Sequence, residues 1–414
     1  MSAKRSQEIL LGLRDKGRQT DLLERHLAFE QAISDSPLIA GNAVQLLQDG
    51  PSTYQAMFAA IQAAQDHINM ETYILEDDDV GRRFADVLIE KQRQGVQVNL
   101  IYDSVGTLNT PSAFFDRLRD AGIGLLEFNP INPKKLRRGW ELNQRDHRKL
   151  LVTDGKRVFL GGINISNVYS GSSLKARTHE ADVSGLPWRD TDLMIDGPVV
   201  AEFQKMFLDT WEAQKGATLS RRNYFPVLTA QGRSIVHAIG SSPEESYSQV
   251  YATLISAINA AARDVLLTTA YFVPDPQMLS AIKAAVGRGV EVKLVLPATS
   301  DSRLTYHAGS SYYDELLSAG VKLYERQNAF LHAKTALIDG VWSMVGSSNM
   351  DWRSFLHNQE VNAVVLGAEF GVRMRKSFDD DVAQSHELTL ERWQQRPLAQ
   401  RLKESLSRIW QYWL

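Results

Sequence analysis

No cysteine occurs among the 414 residues, so disulfides and thiolate metal sites are excluded and the redox compartment leaves no mark. Long apolar runs are missing too: none approaches the roughly 18 residues that read as a spanning helix. The opening stretch, MSAKRSQEILLGLRDKGRQ, is charged and amphipathic and has no apolar signal core. An excess of either charge is also lacking. The formal net charge is -3 and the isoelectric point is near 6.3, which removes a global pull toward nucleic acid while leaving room for local basic patches. What is present is 43% hydrophobic and 23% charged, the composition of a soluble globular protein. The chain is too long for one ordinary core, so two domains or a composite of two similar halves are expected.

Residues 1–40 read as helical, with Leu10, Leu11, Leu13, Leu22, Leu23, Leu27 and Phe29 at helix-like spacing among charges. Beyond them strands and helices alternate. DHINMETYIL (66–75) and VQVNLIYD (96–103) read as strands, VGRRFADVLIEKQRQG (80–95) and 111–122 as helices. The same order returns: strands at 263–273 and 290–297, helices at 276–289 and 310–320. Alternation of this kind predicts an α/β sandwich. QGVQVNLIYD parallels RGVEVKLVLP, with Gly95 and Gly289 separated by 194 positions, and Gly122 and Gly320 are separated by 198. Similarity at a nearly constant offset points to duplication. The expected division is a helical extension over 1–40, a first half over 41–215 and a second over 216–414.

Two motifs sit in register on these halves. DHRKLLVTDG (146–155) holds His147, Lys149 and Asp154 and is followed by Gly161-Gly162-Ile163-Asn164; LHAKTALIDG (331–340) holds His332, Lys334 and Asp339 and is followed by Gly346-Ser347-Ser348-Asn349. His to His, Lys to Lys, Asp to Asp and Asn to Asn, the separation is 185 each time (332 − 147 and its equivalents). One His-x-Lys is commonly a solvated strand end; two, in register on duplicated halves with matching Gly-x-x-Asn tails, form a specific signal. In a strand, residues i and i+2 share a face, so each His is expected beside its Lys. Two halves packed face to face would then bring two imidazoles, two ammoniums and the side chains of Asn164 and Asn349 around one phosphate diester. Imidazoles on opposite sides of phosphorus suit in-line displacement, one attacking to form a phosphohistidine and the other protonating the leaving oxygen. No close cluster of further His or carboxylates offers a metal site, so neither metal nor cofactor is expected.

An attacking imidazole needs an acid to orient it. Asp190 lies seven residues before Gly197, and Glu360 seven before Gly367. That matched spacing nominates both, with Asp192 the alternative in the first half. Asp154 and Asp339, each just before a glycine, read as turn or strand-fixing groups. Gly162 and Ser348 belong to the structural part of the motif tails. The basic stretch KKLRRGW (134–140) is either a solvated loop or a clamp for anionic headgroups through Arg138 beside Trp140. At the C-terminus, Leu402, Leu406, Ile409, Trp410 and Trp413 recur at helical spacing, and burial against the core is the expected role, with interfacial insertion the alternative.

The doubled H-x-K-x4-D motif resembles that of the phospholipase D superfamily, over roughly residues 38–414. The surrounding text (NMETYIL, DDDVG, NLIYDSVGT, RDHRKLLVTDG, FLGGIN, YFVPD, HAKTALIDG, VGSSNMDWRS) is similar to the bacterial cardiolipin synthase branch. The resemblance implies a two-halved α/β sandwich about a pseudo-twofold axis, a phosphohistidine intermediate, metal independence and a phosphatidylglycerol-like substrate passed to an alcohol or water. It implies that His147 is the nucleophile and His332 the general acid, and it directs attention to Tyr271 of YFVPD as a substrate contact. Peripheral contact with a bacterial membrane is expected, and one chain should suffice for catalysis. A nuclease-like phosphodiesterase is the runner-up, and a lipid-binding protein with a relict site a third reading. The acidic balance and the lack of a basic, aromatic-studded strip count against nucleic acid.

Overall fold

The computed structural model describes residues 22–33, 37–131, 143–173, 185–244 and 247–409. Residues 1–21, with Leu10, Leu11 and Leu13, and the stretch that holds Arg138 and Trp140 lie outside the described residues, as do Trp410 and Trp413.

In the first half the strands are β1 (Ile39–Gln48), β2 (His67–Thr72), β3 (Gln97–Asp103), β4 (Gly124–Phe128), β5 (Arg145–Asp146), β6 (Leu150–Thr153), β7 (Arg157–Gly161), β8 (Trp188–Arg189) and β9 (Thr191–Asp196). In the second they are β10 (Ser234–Ser241), β11 (Asp264–Thr268), β12 (Glu291–Pro297), β13 (Lys322–Arg326), β14 (Phe330–Leu331), β15 (Thr335–Ile338), β16 (Trp342–Gly346), β17 (Asn358–Leu366) and β18 (Ser385–Leu388). One continuous sheet runs β18-β13-β12-β11-β15-β16-β17-β10-β1-β9-β7-β6-β2-β3-β4. Its centre is the antiparallel pair β1 and β10. Outward from that pair the two halves repeat one order, β9-β7-β6-β2-β3-β4 on one side and β17-β16-β15-β11-β12-β13 on the other. This is the duplicated α/β sandwich that the alternation predicts, with β18 added at one edge.

Strands such as β2, β16 and β17 are buried along their whole length because helices cover both faces of the sheet. On one face helices 79–93 and 276–287 pack in two separate apolar cores, one per half. On the other, helices Val200–Ala213 and Phe370-bearing Ala368–Val382 close a third core built from both halves, with Phe203, Phe207, Leu160, Val345 and Phe378 inside it. Local signals repeat as well. Asp78 and Asp275 cap their helices by accepting from Gly81 N and Met278 N, satisfying otherwise orphaned N–H groups. Gly95 and Gly289 end the helices with φ of 89° and 86°, a conformation glycine adopts without Cβ strain.

Three expectations change. The helix expected over 310–320 is Tyr313–Ser318, preceded by a separate helix, Arg303–Ser310. Between them Ser311 Oγ donates to Ala308 O and Ser310 Oγ to His307 O, and such local bonds compete with helix continuation. The strand expected over 263–273 stops at Thr268, where the chain leaves the sheet. The C-terminal helix (Leu398–Arg408) is inverted relative to expectation: Leu402, Leu406 and Ile409 are exposed, while Glu404 and Ser407 are buried. An ion pair explains the inversion, since Glu404 faces inward to meet Arg396 at 2.8 Å.

The N-terminal helix, Leu22–Ile33, packs on the second half, where Leu23 and Leu27 meet its core. His26 Nε2 contacts Asp339 Oδ2 at 3.0 Å, and Glu30 accepts from Trp342 Nε1 at 2.5 Å. Between Ala213 and Ser234, where the sequence reading divides the halves, the chain has neither helix nor strand.

Candidate active site

Each His-x-Lys segment follows a two-residue strand that pairs with a strand of the other half. β5 pairs in parallel with the start of β17, Arg145 opposite Asn358 and Asp146 opposite Gln359. His147 N then donates to Gln359 O at 3.0 Å. In the mirror arrangement β14 pairs with β8, and His332 N donates to Arg189 O at 2.8 Å. The next residue along each partner strand is an acid. Glu360 lies against His147, with Oε1 and Oε2 at 3.1 and 3.2 Å from Nδ1. Asp190 Oδ2 lies 2.6 Å from His332 Nδ1. Each half thus supplies the carboxylate that orients the other half's imidazole. With Nδ1 occupied, Nε2 is, among the described residues, the ring nitrogen of each histidine left for a substrate.

Both imidazoles open onto one cavity of about 320 Å³, whose wall also includes Asn164, Asn349, Tyr271, Tyr73, Tyr169, Trp188, Arg145, Asp351 and Arg353. The lysines are placed differently from the expectation that His and Lys share a strand face. Residues 147–149 and 332–334 belong to no ladder, so the strand alternation does not apply to them. Lys149 and Lys334 are buried and, among the described residues, do not line the cavity. Lys149 Nζ donates to His147 O at 2.5 Å and Lys334 Nζ donates to His332 O. Each ammonium still acts on both imidazoles and on both acids.

The asparagines are unequal. Asn164 is committed to the scaffold: its Oδ1 accepts from Ile74 N at 3.1 Å and its Nδ2 donates to Tyr169 Oη at 3.0 Å. Asn349 reaches the cavity with its Oδ1 buried and, among the described residues, unpartnered. Gly162 allows close approach of the acid, since a Cβ there would meet Asp190 Oδ1 at 2.2 Å. Ser348 Oγ accepts from Asn362 Nδ2 at 2.6 Å, and its neighbour Ser347 donates to Glu360. Tyr271 Oη donates to Asp301 Oδ1 at the cavity wall. Asp154 accepts from the backbone N–H groups of Gln65, Asp66 and His67. Asp339 does the same for Ala262, Arg263 and Asp264. Both therefore pin the start of a neighbouring strand, far from the cavity. Asp192, the alternative acid, accepts instead from Ile163 N at 3.1 Å, and burial together with Asp190 pushes its carboxyl up to about 8. A proton on it at neutral pH makes it the chemical match of Asn362, which faces Gly346 as Asp192 faces Gly161.

Burial lowers the basicity of both imidazoles; at His332 it acts with Lys334 against the opposing pull of Asp190. Burial, helped by Lys149, pulls the His147 imidazole down to about 4, against the opposing pull of Glu360. Burial would raise Glu360, yet His147, Lys149 and Ser347 outweigh it and hold the carboxyl at about 2. Burial is outweighed at Asp190 too, by His332 and Lys334, so its carboxyl falls below the usual range. Burial drags Lys149 down to about 7. Among the described residues no group of three or more His, Cys, Asp or Glu is arranged to hold a metal ion.

Several cavity residues escape a reading by motif. Tyr73 meets the His147 ring edge-on at 5.2 Å, and Trp188 lies 5.1 Å from the His332 ring while stacking on Phe330. Trp188 was within reach as the residue two before Asp190. Tyr73, Arg145 and Arg353 carry no spacing that marks them.

A family described as "Cardiolipin synthase, PLD-like domain" matches the chain twice, over residues 57–183 and 254–382, once in each half. A cardiolipin synthase of Geobacillus kaustophilus is 35% identical over 379 residues, 91% of this chain and 73% of that protein. One from Listeria monocytogenes is 34% identical over 389 residues, 93% of this chain and 78% of its own length. Among solved structures, a phosphatidylserine synthase of Haemophilus influenzae Rd KW20 superposes with a TM-score of 0.68, covering 94% of this chain and all of that one; at 13% identity this is a likeness of fold. The chain belongs to the phospholipase D superfamily, and the paired motifs on a duplicated sheet are the form that membership takes here. Within that superfamily it falls in the cardiolipin synthase branch, and it is an enzyme of the phosphatidyltransferase kind. Among the described residues no helix is long and apolar enough to cross a membrane.

Proposed function

We propose that the chain transfers the phosphatidyl group of a phosphatidylglycerol-like lipid to the hydroxyl of a second lipid alcohol, or to water, as cardiolipin synthases do by name. The observation that carries the reading is the crossed arrangement: two imidazoles from two halves on one cavity, each held by the other half's carboxylate.

His147 is the nucleophile. Its depressed basicity leaves Nε2 unprotonated at neutral pH, and the ionised Glu360 fixes Nδ1 as the protonated nitrogen. Nε2 attacks phosphorus, a P–N bond forms and the P–O bond to the leaving glycerol breaks. His332 gives its Nε2 proton to that departing oxygen. Burial and Lys334 lower the basicity of His332 as well, so the proton it gives is held there by the bound phosphate anion together with the 2.6 Å contact to Asp190. In the second half-reaction His332 takes the proton of the acceptor hydroxyl, whose oxygen attacks phosphorus and breaks the P–N bond. Lys149 and Lys334 supply positive potential to the phosphoryl group, and Asn349 donates its side-chain N–H to a phosphoryl oxygen. Asn164 acts by holding Tyr169 and the Ile74 backbone in place. Tyr271 lines the route for the substrate. Arg138 and Trp140, outside the described residues, stay candidates for headgroup contact on sequence alone.

A cavity of about 320 Å³ takes a phosphate with glycerol-sized groups on either side and leaves acyl chains outside. Peripheral contact with a membrane follows from this reading, and a single chain holds both imidazoles. The test is incubation with phosphatidylglycerol vesicles and analysis of the lipids. Formation of cardiolipin or phosphatidic acid is expected; neither product from folded protein overturns the reading.

A further inference from the structure

We infer that the C-terminal helix is a membrane-surface anchor that lays its apolar stripe on an anionic lipid bilayer beside the catalytic cavity. Leu398, Leu402, Leu406 and Ile409 follow each other at helical spacing and are 79%, 62%, 55% and 73% exposed. Four large aliphatic side chains on one side of one helix form a patch that a soluble surface does not ordinarily leave open. The helix is held in this orientation from its polar side. Arg396 pairs with both Glu404 and Asp314 and lies over the Trp393 ring, while the Arg408 guanidinium sits 4.5 Å from the Tyr312 ring centre. The outward stripe is therefore a built feature and not a helix turned at random.

Charge and position choose the occupant. Arg401, Lys403 and Arg408 are exposed around the stripe, and the helix's only carboxylate, Glu404, is buried in its ion pair. Cations flanking an apolar stripe match an anionic lipid surface. In a face-to-face pairing of this helix with that of a second copy, the same cations would meet and repel. The sequence continues with Trp410, Tyr412 and Trp413, residue types that favour the bilayer interface. The helix packs against helix Arg303–Ser310. Thr305 of that helix and its cap Ser302 line the catalytic cavity, and its Leu304 is 42% exposed. The stripe thus stands one helix away from the cavity wall, where a lipid that keeps its acyl chains in the bilayer needs the surface to be. The choice of lipid rests on the proposed transferase reading; the binding itself does not.

The test uses the full chain and the double substitution Leu402→Gln, Leu406→Gln, whose positions are exposed, with circular dichroism to confirm an unchanged fold. Sedimentation with vesicles of phosphatidylcholine and phosphatidylglycerol should retain the parent chain, and the double variant should partition at least tenfold more weakly. Turnover of vesicle lipid should fall with binding. Turnover of dihexanoyl phosphatidylglycerol, kept below its micelle concentration, should stay within twofold. Equal partitioning of parent and variant, or a parent chain that ignores anionic vesicles, overturns the inference. So does a dimer that the substitutions dissolve while vesicle binding stays the same, which would give the stripe to a second copy. If the soluble lipid is not turned over by either form yet the variant loses vesicle binding, the transferase reading fails and the anchor stands.

Discussion

At the scale of single residues the chemistry depends on which nitrogen of each imidazole carries a proton, and that is set by two buried acids. Replacing His147 with Ala should lower turnover of phosphatidylglycerol vesicles by at least about 10³-fold with the fold intact, since the covalent intermediate is assigned to its Nε2. Glu360→Gln and Asp190→Asn should each cost about 10²–10⁴-fold in kcat, by analogy with loss of an imidazole-orienting carboxylate elsewhere, with little change in KM. Stability should also report the site. His147 titrates near 6.5 when exposed and near 4 when folded, so the unfolded chain takes up its proton first as pH falls. Glu360 adds to this, because a carboxyl held at about 2 is stabilising above its ordinary 4.5 and loses that contribution on the way down. Urea denaturation at pH 7.5 and 4.5 should therefore show a lower midpoint at acid pH, and a smaller difference in His147→Asn. Equal pH dependence in the two proteins would contradict the assignment. Both acids were legible in the sequence through their equal distance from Gly197 and Gly367. Which histidine each serves was not legible, because the crossing is made by tertiary pairing of β5 with β17 and β8 with β14. Strand alternation does not describe His147–Lys149 or His332–Lys334, because these residues leave the ladder.

At the scale of elements, fasteners matter more than the strands they fasten. Asp339 holds three backbone N–H groups and the N-terminal helix through His26. Asp339→Ala should cost about 3–5 kcal/mol in urea denaturation, the range for stranding buried partners. Asp154→Ala, with no helix to release, should cost less. Gly162→Ala should cut activity sharply, because its methyl would displace the Asp190 carboxylate from His332, whereas Gly287→Ala meets nothing within 4 Å and should leave activity unchanged. Assaying the purified variants separates these outcomes. Helices and strands with strong periodicity were readable from sequence, as 79–93 and β3 show. The periodicity of Leu402, Leu406 and Ile409 was also readable; its direction was not, since Glu404 decides it through an ion pair with Arg396 in the bend before the helix.

At the scale of the whole molecule, duplication was visible because both motifs keep one offset from His to Asn, which requires equal spacing within each motif and its tail. The consequence visible only in three dimensions is that neither half contains a complete site. Residues 1–215 and 216–414 expressed apart should each be inactive on phosphatidylglycerol vesicles, and their co-expression should restore turnover, because His147 needs Glu360 and His332 needs Asp190. Activity in one half alone would contradict the crossed site. The most direct test is to capture the covalent intermediate. Rapid quenching with labelled phosphatidylglycerol, followed by base-stable peptide mapping by mass spectrometry, should find the phosphatidyl group on His147 and nowhere else. Label on His332 instead, or turnover with no protein-bound phosphorus, would contradict the account.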